Sequence, residues 1–255
     1  MRRAGPRVLA GRPVLSGDII MPDLALIALW NGRAAHRGDY DIWHTREHVP
    51  ERLSVPGFLS AVRYGGGKGP LPAYFTLYTV TGRGVLESAA YRHLFDNPTR
   101  WTRSMRADMT RFLRLPCTLK LRAGGGLGGW ALTCLTRMGD VGRGDARAVE
   151  AAVRGLTDIP AVTAVQYGEV DRRSPGVGFA VARQDSDADG VLIVESYDGA
   201  MLEAARDEID ARLAPALAPS DHTFYKLAFA LRAEERGLVP PIAPDRFLPP
   251  GKEEG

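Results

Sequence analysis

The order of apolar runs along the chain is repeated after a shift of 103 residues, and this repetition constrains the fold more than any other feature. Residues 61–65 (AVRYG) fall on residues 164–168 (AVQYG), and the apolar run 24–31 falls on residues 127–134. Short apolar or alternating runs bounded by glycine predict strands, whereas apolar residues at helical spacing predict amphipathic helices. On these rules both halves of the chain contain the same succession of elements.

Each half is predicted to fold as strand-helix-strand-strand-helix-strand, which is the ferredoxin-like arrangement. The predicted strands are residues 24–30, 58–64, 73–80 and 112–121, then 130–136, 161–170, 191–196 and 224–231. The predicted helices begin at residue 40 and cover residues 85–95, 99–109, 145–156 and 199–213, with a break or a new first turn expected at Pro50. One sheet of this kind has helices on one face and leaves its second face apolar, so two units can bury those faces against each other. The sequence therefore predicts an α+β fold in which two tandem ferredoxin-like βαββαβ repeats form an eight-stranded, pseudo-twofold barrel within one chain.

The predicted boundaries follow from the glycine and proline distribution. They are an extension at residues 1–22, a first repeat at 23–123, a second repeat at 128–232 and a Pro-rich, irregular tail at 233–255. Met21 directly precedes the first strand, so it is either the true start of the protein or the end of a disordered extension.

Two glycine-rich stretches require separate interpretation. Residues 124–129 (GGGLGG) match the G-x-G-x-x-G pattern, but a strand-like run follows them, and a phosphate-binding loop needs a helix at that point. We therefore interpret them as a linker between the two repeats. Residues 65–69 are predicted to be a loop between two strands.

Composition and charge exclude several classes of protein. The chain has 255 residues and a formal net charge of +3, but the first twenty residues already carry a net +3, so the rest is near neutral and gives no nucleic-acid signal. Cys117 and Cys134 are the only cysteines, which fits a reducing cytoplasm and no disulfide framework. No apolar run approaches the roughly 20 residues that span a bilayer.

The densest polar chemistry lies in residues 40–53 (YDIWHTREHVPERL). Such groups are costly to bury unless each has a partner, so this segment is expected to line a cavity or to face water. Residues 44–48 match the His-x-x-Glu-His zinc motif, but a zinc site also needs a third ligand on another element, and no obvious helix supplies one. We expect no metal and favour acid–base chemistry, since a neutral imidazole can accept and return a proton.

A set of residues in the first half resembles the first-repeat pattern of the dimeric α/β-barrel superfamily, in particular its EthD-like branch. The set is Trp43, Glu47-His48, Glu51-Arg52-Leu53, Pro56-Gly57-Phe58, Ala61 and Arg63-Tyr64. The resemblance covers roughly residues 24–121, and the second half matches by topology alone. It implies a small pocket between sheet and helices. The superfamily includes cofactor-free monooxygenases, lactone isomerases, cyclases and haem enzymes, so the resemblance implies the fold more firmly than the reaction.

His48 occupies the family-like position and is predicted to be the general base or acid, assisted by His44 and Tyr64. Predicted substrate-binding residues are Trp43, Trp101, Tyr74 and Tyr78, which offer flat apolar walls and hydroxyl groups. The alternative for each is structural: solvated histidines, core tryptophans, and a scaffold role for Tyr64 and its sequence counterpart Tyr167.

The leading functional prediction is a cofactor-independent cyclase, isomerase or lyase acting on a small apolar oxygenated molecule of aromatic or polyketide type. A non-catalytic ligand-binding or scaffold protein is the first alternative, and a cofactor-free or haem-dependent oxygenase is the second. The expected partner is this small molecule, in a monomer or homodimer, with no nucleic acid, membrane or cofactor.

Overall fold

The structure, a computed structural model, describes residues 24–33, 38–173 and 185–243. The predicted N-terminal extension therefore lies outside the described residues, as does the end of the tail. The strands are β1 (Ala25–Arg33), β2 (Phe58–Lys68), β3 (Tyr74–Val80), β4 (Met109–Gly124), β5 (Trp130–Met138), β6 (Val162–Val170), β7 (Gly190–Ser196) and β8 (Leu217–Arg232). The α-helices are α1 (Asp39–Trp43), α2 (Val49–Leu53), α3 (Ala89–Asp96), α4 (Arg100–Asp108), α5 (Ala146–Gly155), α6 (Gly199–Ala204) and α7 (Arg206–Leu213).

The strands form one antiparallel sheet that closes into a barrel in the order β1-β3-β2-β8-β5-β7-β6-β4. Strands of the first half lie side by side as β4-β1-β3-β2, and those of the second half as β8-β5-β7-β6. The pairs β2–β8 and β4–β6 join the two halves. The predicted α+β class and the eight-stranded antiparallel barrel are confirmed.

Side chains alternate between two apolar layers along each strand, because both faces of the sheet are covered. In β1, Leu26, Ala28 and Trp30 point into the barrel, while Ala25 and Ile27 pack against the helices of the first half. A separate cluster fills the space between the second-half strands and α5, α6 and α7. Among the described residues, no helix is long and apolar enough to cross a membrane.

Three local predictions are wrong. The glycines after Tyr64 continue β2 as far as Lys68 instead of forming a loop, and a Cβ on Gly67 would lie 2.7 Å from the Tyr225 ring. The predicted helix 199–213 is two helices, α6 and α7, that meet at Ala205. The predicted irregular tail begins with a short 3₁₀ helix at Ala233–Leu238.

The correspondence of Tyr64 with Tyr167 is also wrong. Tyr64 lies inside the barrel and stacks on Phe75, with ring centroids 5.7 Å apart. Tyr167 lies on the other face of the sheet, in the cluster beneath α5 and α7. Because side chains alternate along a strand, an alignment that is wrong by one residue exchanges the two faces.

Candidate functional site

Residues 39–53 form one helical segment whose middle turn is widened. α1 leads into a π-helical turn at His44–His48, and α2 continues directly from that turn. Proline lacks an N–H, and within an α-helix its ring clashes with the carbonyl group four residues earlier. The wider π-turn just before Pro50 accommodates both effects. The chain therefore does not break at Pro50. The other predicted possibility, a new first turn, is observed, because Pro50 lies in the first turn of α2.

The π-turn directs both histidines towards the sheet. The imidazole rings of His44 and His48 lie 5.2 Å apart between centroids, and the Trp43 indole lies 4.5 Å from the His48 ring. His44 is 3% exposed, and its Nε2 lies 3.4 Å from the hydroxyl of Thr76 on β3. His48 is partly buried. The histidines are thus not solvated surface groups.

A cavity of about 20 Å³ lies between this segment, the sheet and α4, with room for about one water molecule. Its lining consists of Leu29, Asn31, Tyr40, Trp43, His44, His48, Tyr78, Arg106, Met109 and Phe112. The predicted pocket in the first half therefore exists, but it is far smaller than the roughly 300–1,000 Å³ typical of sites for drug-sized molecules.

Three polar atoms around the cavity are buried without a hydrogen-bond partner in the described part of the chain. They are Nδ1 of His44, Nδ1 of His48 and the hydroxyl of Tyr78. Buried polar atoms are nearly always hydrogen-bonded in native proteins, because an unsatisfied one costs roughly 1–3 kcal/mol. A water molecule or the polar end of a ligand in the cavity would satisfy them.

Burial and neighbouring cations keep both histidines of this site uncharged. Burial lowers the pKa of His44 well below its usual 6.5, and the guanidinium groups of Arg63 and Arg52 lower it further. Burial likewise lowers the pKa of His48, with further lowering from Arg52, His44 and Arg106. Burial raises the pKa of the Tyr78 hydroxyl. At neutral pH the site thus holds two neutral imidazoles, which can accept protons, beside a neutral phenol, which can donate a hydrogen bond.

Tyr64 does not belong to this site, because it lies on the barrel face of β2. The adjacent residue, Arg63, points to the helix face instead and is 4% exposed. Its guanidinium lies 2.6 Å from the carboxylate of Asp41 and 3.1 Å from the hydroxyl of Thr45. Arg63 therefore ties β2 to the segment that carries both histidines.

The four predicted substrate-binding residues divide into two pairs. Trp43 and Tyr78 line the cavity. Tyr74 does not, and its ring packs on Tyr40 at 4.6 Å. Trp101 is fully buried in a cluster with Trp43 and is not part of the lining. The alternative of a core role thus fits Trp101, whereas Trp43 is both core and cavity wall.

Several residues of the site were not identified from the sequence. Tyr40 donates a hydrogen bond to Asn31 on β1 at 3.0 Å, and both line the cavity. Arg52 is 3% exposed, and its two terminal nitrogens have no hydrogen-bond partner among the described residues. The available signal for Asn31 was its position as a polar residue directly after the predicted apolar strand 24–30. Arg52 belongs to the family-like pattern, but its burial depends on packing that the pattern does not reveal.

The zinc motif does not assemble a metal site. Glu47 accepts hydrogen bonds from the hydroxyls of Thr99 and Thr102 at 2.6 and 3.2 Å, at the start of α4. Among the described residues, no group of three or more His, Cys, Asp or Glu side chains is placed to hold a metal ion. Glu47 instead anchors the π-turn to α4.

The fold is shared with several solved structures. The chain matches an anthrone oxidase-like protein with a TM-score of 0.60 and 13% identity, covering 85% of this chain and 96% of that one. It matches a proposed monooxygenase from Fusobacterium nucleatum with a TM-score of 0.53 and 7% identity, covering 83% and 96%. A proposed chlorite dismutase gives a TM-score of 0.52 and 10% identity, covering 86% and 100%.

The TM-scores show a common fold, and at identities of 7–13% the likeness shows nothing finer. No family model matches the sequence. No curated protein matches it either.

Proposed function

We propose that this protein is a small-molecule enzyme that transfers protons without a cofactor, with His48 as the proton-transfer residue. The observation that carries the proposal is the cavity into which His48, His44 and Tyr78 bring buried polar atoms that have no partner in the described chain. Such atoms are costly to maintain unless a ligand satisfies them. The proposed reaction is that of a cyclase, isomerase or lyase that begins with removal of a proton from a carbon acidified by a carbonyl group.

In the proposed step, neutral His48 accepts a proton from a carbon atom conjugated to the substrate carbonyl. The electron pair of that C–H bond forms the C=C bond of an enolate, and the negative charge moves to the oxygen. The Tyr78 hydroxyl donates a hydrogen bond to this oxygen, and the buried guanidinium of Arg52 stabilises the charge electrostatically. The imidazolium of His48 then returns the proton to the oxygen or to another carbon.

Because its pKa is low, His48 is neutral at pH 7 and can accept a proton, and the imidazolium formed is acidic enough to return that proton. An imidazole whose charged form is destabilised by burial and by neighbouring guanidinium groups gives the proton up readily. We therefore expect the acid limb of the pH–rate profile to lie below pH 6.5, the usual value for a histidine.

The proposed substrate is a small, apolar, oxygenated molecule of aromatic or polyketide type. The aromatic walls of the cavity, Trp43 and Tyr40, match a flat ring. A ring does not fit in about 20 Å³, so it enters only if side chains move aside. Met109 and Arg106 are the lining residues with flexible side chains, and we propose that the substrate displaces them.

Oxidation by O₂ is the second candidate reaction, because an anthrone oxidase-like protein and a proposed monooxygenase share the fold. It would begin with the same enolate. For anthrone, the balanced reaction is anthrone plus O₂ giving anthraquinone plus water, in which the methylene carbon is oxidised and O₂ is reduced.

A haem-dependent reaction is not supported by the cavity. A haem group needs several hundred Å³, and the cavity beside the two histidines measures about 20 Å³. His222, in the second half, is already paired with Asp210 at 2.7 Å.

Anthrone provides a direct test, because its methylene protons are acidified by the conjugated carbonyl. In D₂O without O₂, the wild-type protein should accelerate hydrogen–deuterium exchange at the methylene group, and His48→Gln should not. Consumption of O₂ with formation of anthraquinone would select the oxidase reaction. Saturable binding of anthrone without exchange or oxidation would instead indicate a ligand-binding protein and would exclude the proposed chemistry for this substrate class.

We also propose that residues 23–123 and 128–232 are two ferredoxin-like repeats, the first of them EthD-like. The corresponding strand orders β4-β1-β3-β2 and β8-β5-β7-β6 support a duplication. If each repeat is a folding unit, two chains divided at Gly126 and expressed together should associate through the β2–β8 and β4–β6 pairs. Failure of the two chains to form one complex would count against this division.

A further inference from the structure

A second pocket opens at one end of the barrel, on the opposite face of the sheet from the histidines. It has a volume of about 630 Å³ and lies where the glycine-rich linker between the two halves meets the ends of β4, β7 and β8. Its apolar walls include Val62, Leu77 and Leu127, and its polar lining includes Glu195 and Gln166. This volume is within the range for small-molecule sites.

Glu195 is the buried polar centre of this pocket, which we call the barrel mouth. Its side chain points into the barrel from β7, and the residue is 3% exposed. The backbone N–H of Gly128 donates a hydrogen bond to one carboxylate oxygen at 2.9 Å, and the Gln166 amide donates to the other at 3.4 Å. Gly128 can approach so closely because it lacks a side chain, since a Cβ there would lie 2.6 Å from the backbone of Ser196.

The Glu195 carboxylate has no ion-pair partner within 4 Å in the described part of the chain. Arg122 on β4 is the cation whose charge acts on it, and Arg122 is exposed at the rim. Burial raises the pKa of Glu195, while the Gly128 N–H, Arg122, Gln166 and the nearby Tyr64 hydroxyl all lower it. Buried carboxylates are rarely left without a cation, because desolvation of the charge is costly.

We propose that the barrel mouth binds a small organic amine, whose ammonium group pairs with Glu195 and whose apolar body packs on Val62, Leu77 and Leu127. The second oxygen of Glu195 accepts the long hydrogen bond from Gln166, and the Tyr64 hydroxyl lies nearby. Because a carboxylate oxygen has more than one lone pair, it can accept a further hydrogen bond from a ligand. Leu127 is 45% exposed at the opening, and an apolar ligand body would cover it. The ligand thus supplies the missing cation and buries the apolar rim.

This site is independent of the histidine cavity. Leu77 and Tyr78 are adjacent on β3, but Leu77 faces the barrel mouth and Tyr78 faces the cavity. The sheet itself therefore separates the two sites, and either can be occupied or lost without the other.

The test uses 2-phenylethylamine as the probe and 2-phenylethanol as its neutral, nearly isosteric control, with binding measured by calorimetry on the full chain. We expect saturable binding of the amine with a Kd in the micromolar to millimolar range, and at least about tenfold weaker binding of the alcohol. Glu195→Gln should weaken amine binding at least tenfold, whereas Arg122→Gln should strengthen it, because a repelling charge is removed. Equal binding of amine and alcohol, no binding of the amine at millimolar concentration, or an unchanged Kd in Glu195→Gln would overturn the proposal.

A pair of blocking variants keeps the test valid if Glu195→Gln is unstable. Ala230 is exposed and lines the mouth, so Ala230→Trp should fill it and abolish amine binding. Ala228 is an exposed alanine of the same strand outside the lining, so Ala228→Trp should bind the amine like wild type. Equal binding by both variants would place the amine elsewhere and refute the site. Neither variant should affect proton exchange of anthrone at His48.

Discussion

The layers between sheet and helices are chemically different in the two halves of the barrel, although the strand order is the same. In the second half this layer is a continuous apolar cluster that includes Leu156, Leu192 and Ile209. In the first half it holds His44 and three buried arginines, which are Arg52, Arg63 and Arg114. Among the described residues, the second-half layer has no buried histidine or arginine. Because the same strand order is built with a polar layer in one half and an apolar layer in the other, the strand order alone does not account for the polar groups of the first half.

The largest effect expected from this comparison is on turnover. His48→Gln should lower the rate of anthrone proton exchange by about 10²–10⁴-fold, the usual contribution of a general acid or base. His222→Gln is the matched change in the second half, and it should leave the rate within about twofold. Equal losses in both variants would mean that the rate follows stability and not the first-half site.

The next effect is a loss of stability that leaves the rate of anthrone exchange per folded molecule unchanged. Ile209 lies on α7, and its side chain is fully buried against the sheet, so Ile209→Ala should lower the free energy of unfolding by about 2–5 kcal/mol. Chemical denaturation would measure this loss, and anthrone exchange per folded molecule should be unchanged. A proportional loss of exchange per folded molecule would show that the two halves are coupled and that the contrast between them is too simple.

A smaller effect concerns the contact between Arg63 and Asp41. Asp41→Ala leaves the Arg63 guanidinium buried with only Thr45 as a partner, and should cost about 1–3 kcal/mol. Arg63→Met removes the buried charge as well and should cost less, since the remaining Asp41 is 58% exposed. Both variants should slow proton exchange while leaving its pH limb in place, because Arg63 acts by holding the helical segment. A larger stability loss in Arg63→Met than in Asp41→Ala would contradict this account.

The sequence was sufficient for the fold but only partly for the site. Apolar and alternating runs identified all eight strands, because most of this sheet is covered on both faces and its strands are largely apolar. The polar first half of β8, from Leu217 to Thr223, was not predicted. Because both faces are covered, the sequence did not show which face of the sheet each side chain points to. Alternation placed Arg63 and Tyr64 on opposite faces of β2 but did not reveal which of those faces meets the histidines.

The remaining features of the site depend on packing between distant parts of the chain. Arg52 and Arg106 act on His48 because α2 and α4 lie against the same stretch of sheet. The volume of the cavity likewise depends on how Met109 and Trp43 pack, because a shift of one methyl group changes the free space in a closely packed interior. No local pattern in the sequence carries that information.

The last effect is on the pH dependence of stability. The pKa values of His44 and His48 are lowered in the folded protein, so below pH 6.5 the unfolded chain binds more protons than the folded one. Stability should therefore fall as the pH drops below about 6.5, by up to about 1.4 kcal/mol per pH unit for each histidine. Replacement of both by phenylalanine should flatten the unfolding free energy between pH 6.5 and 5. If the wild-type protein showed no such slope, the two imidazoles would take up protons in the folded protein as readily as in the unfolded chain. The layer in the first half would then not be neutral, and the proposed contrast with the apolar layer of the second half would be wrong.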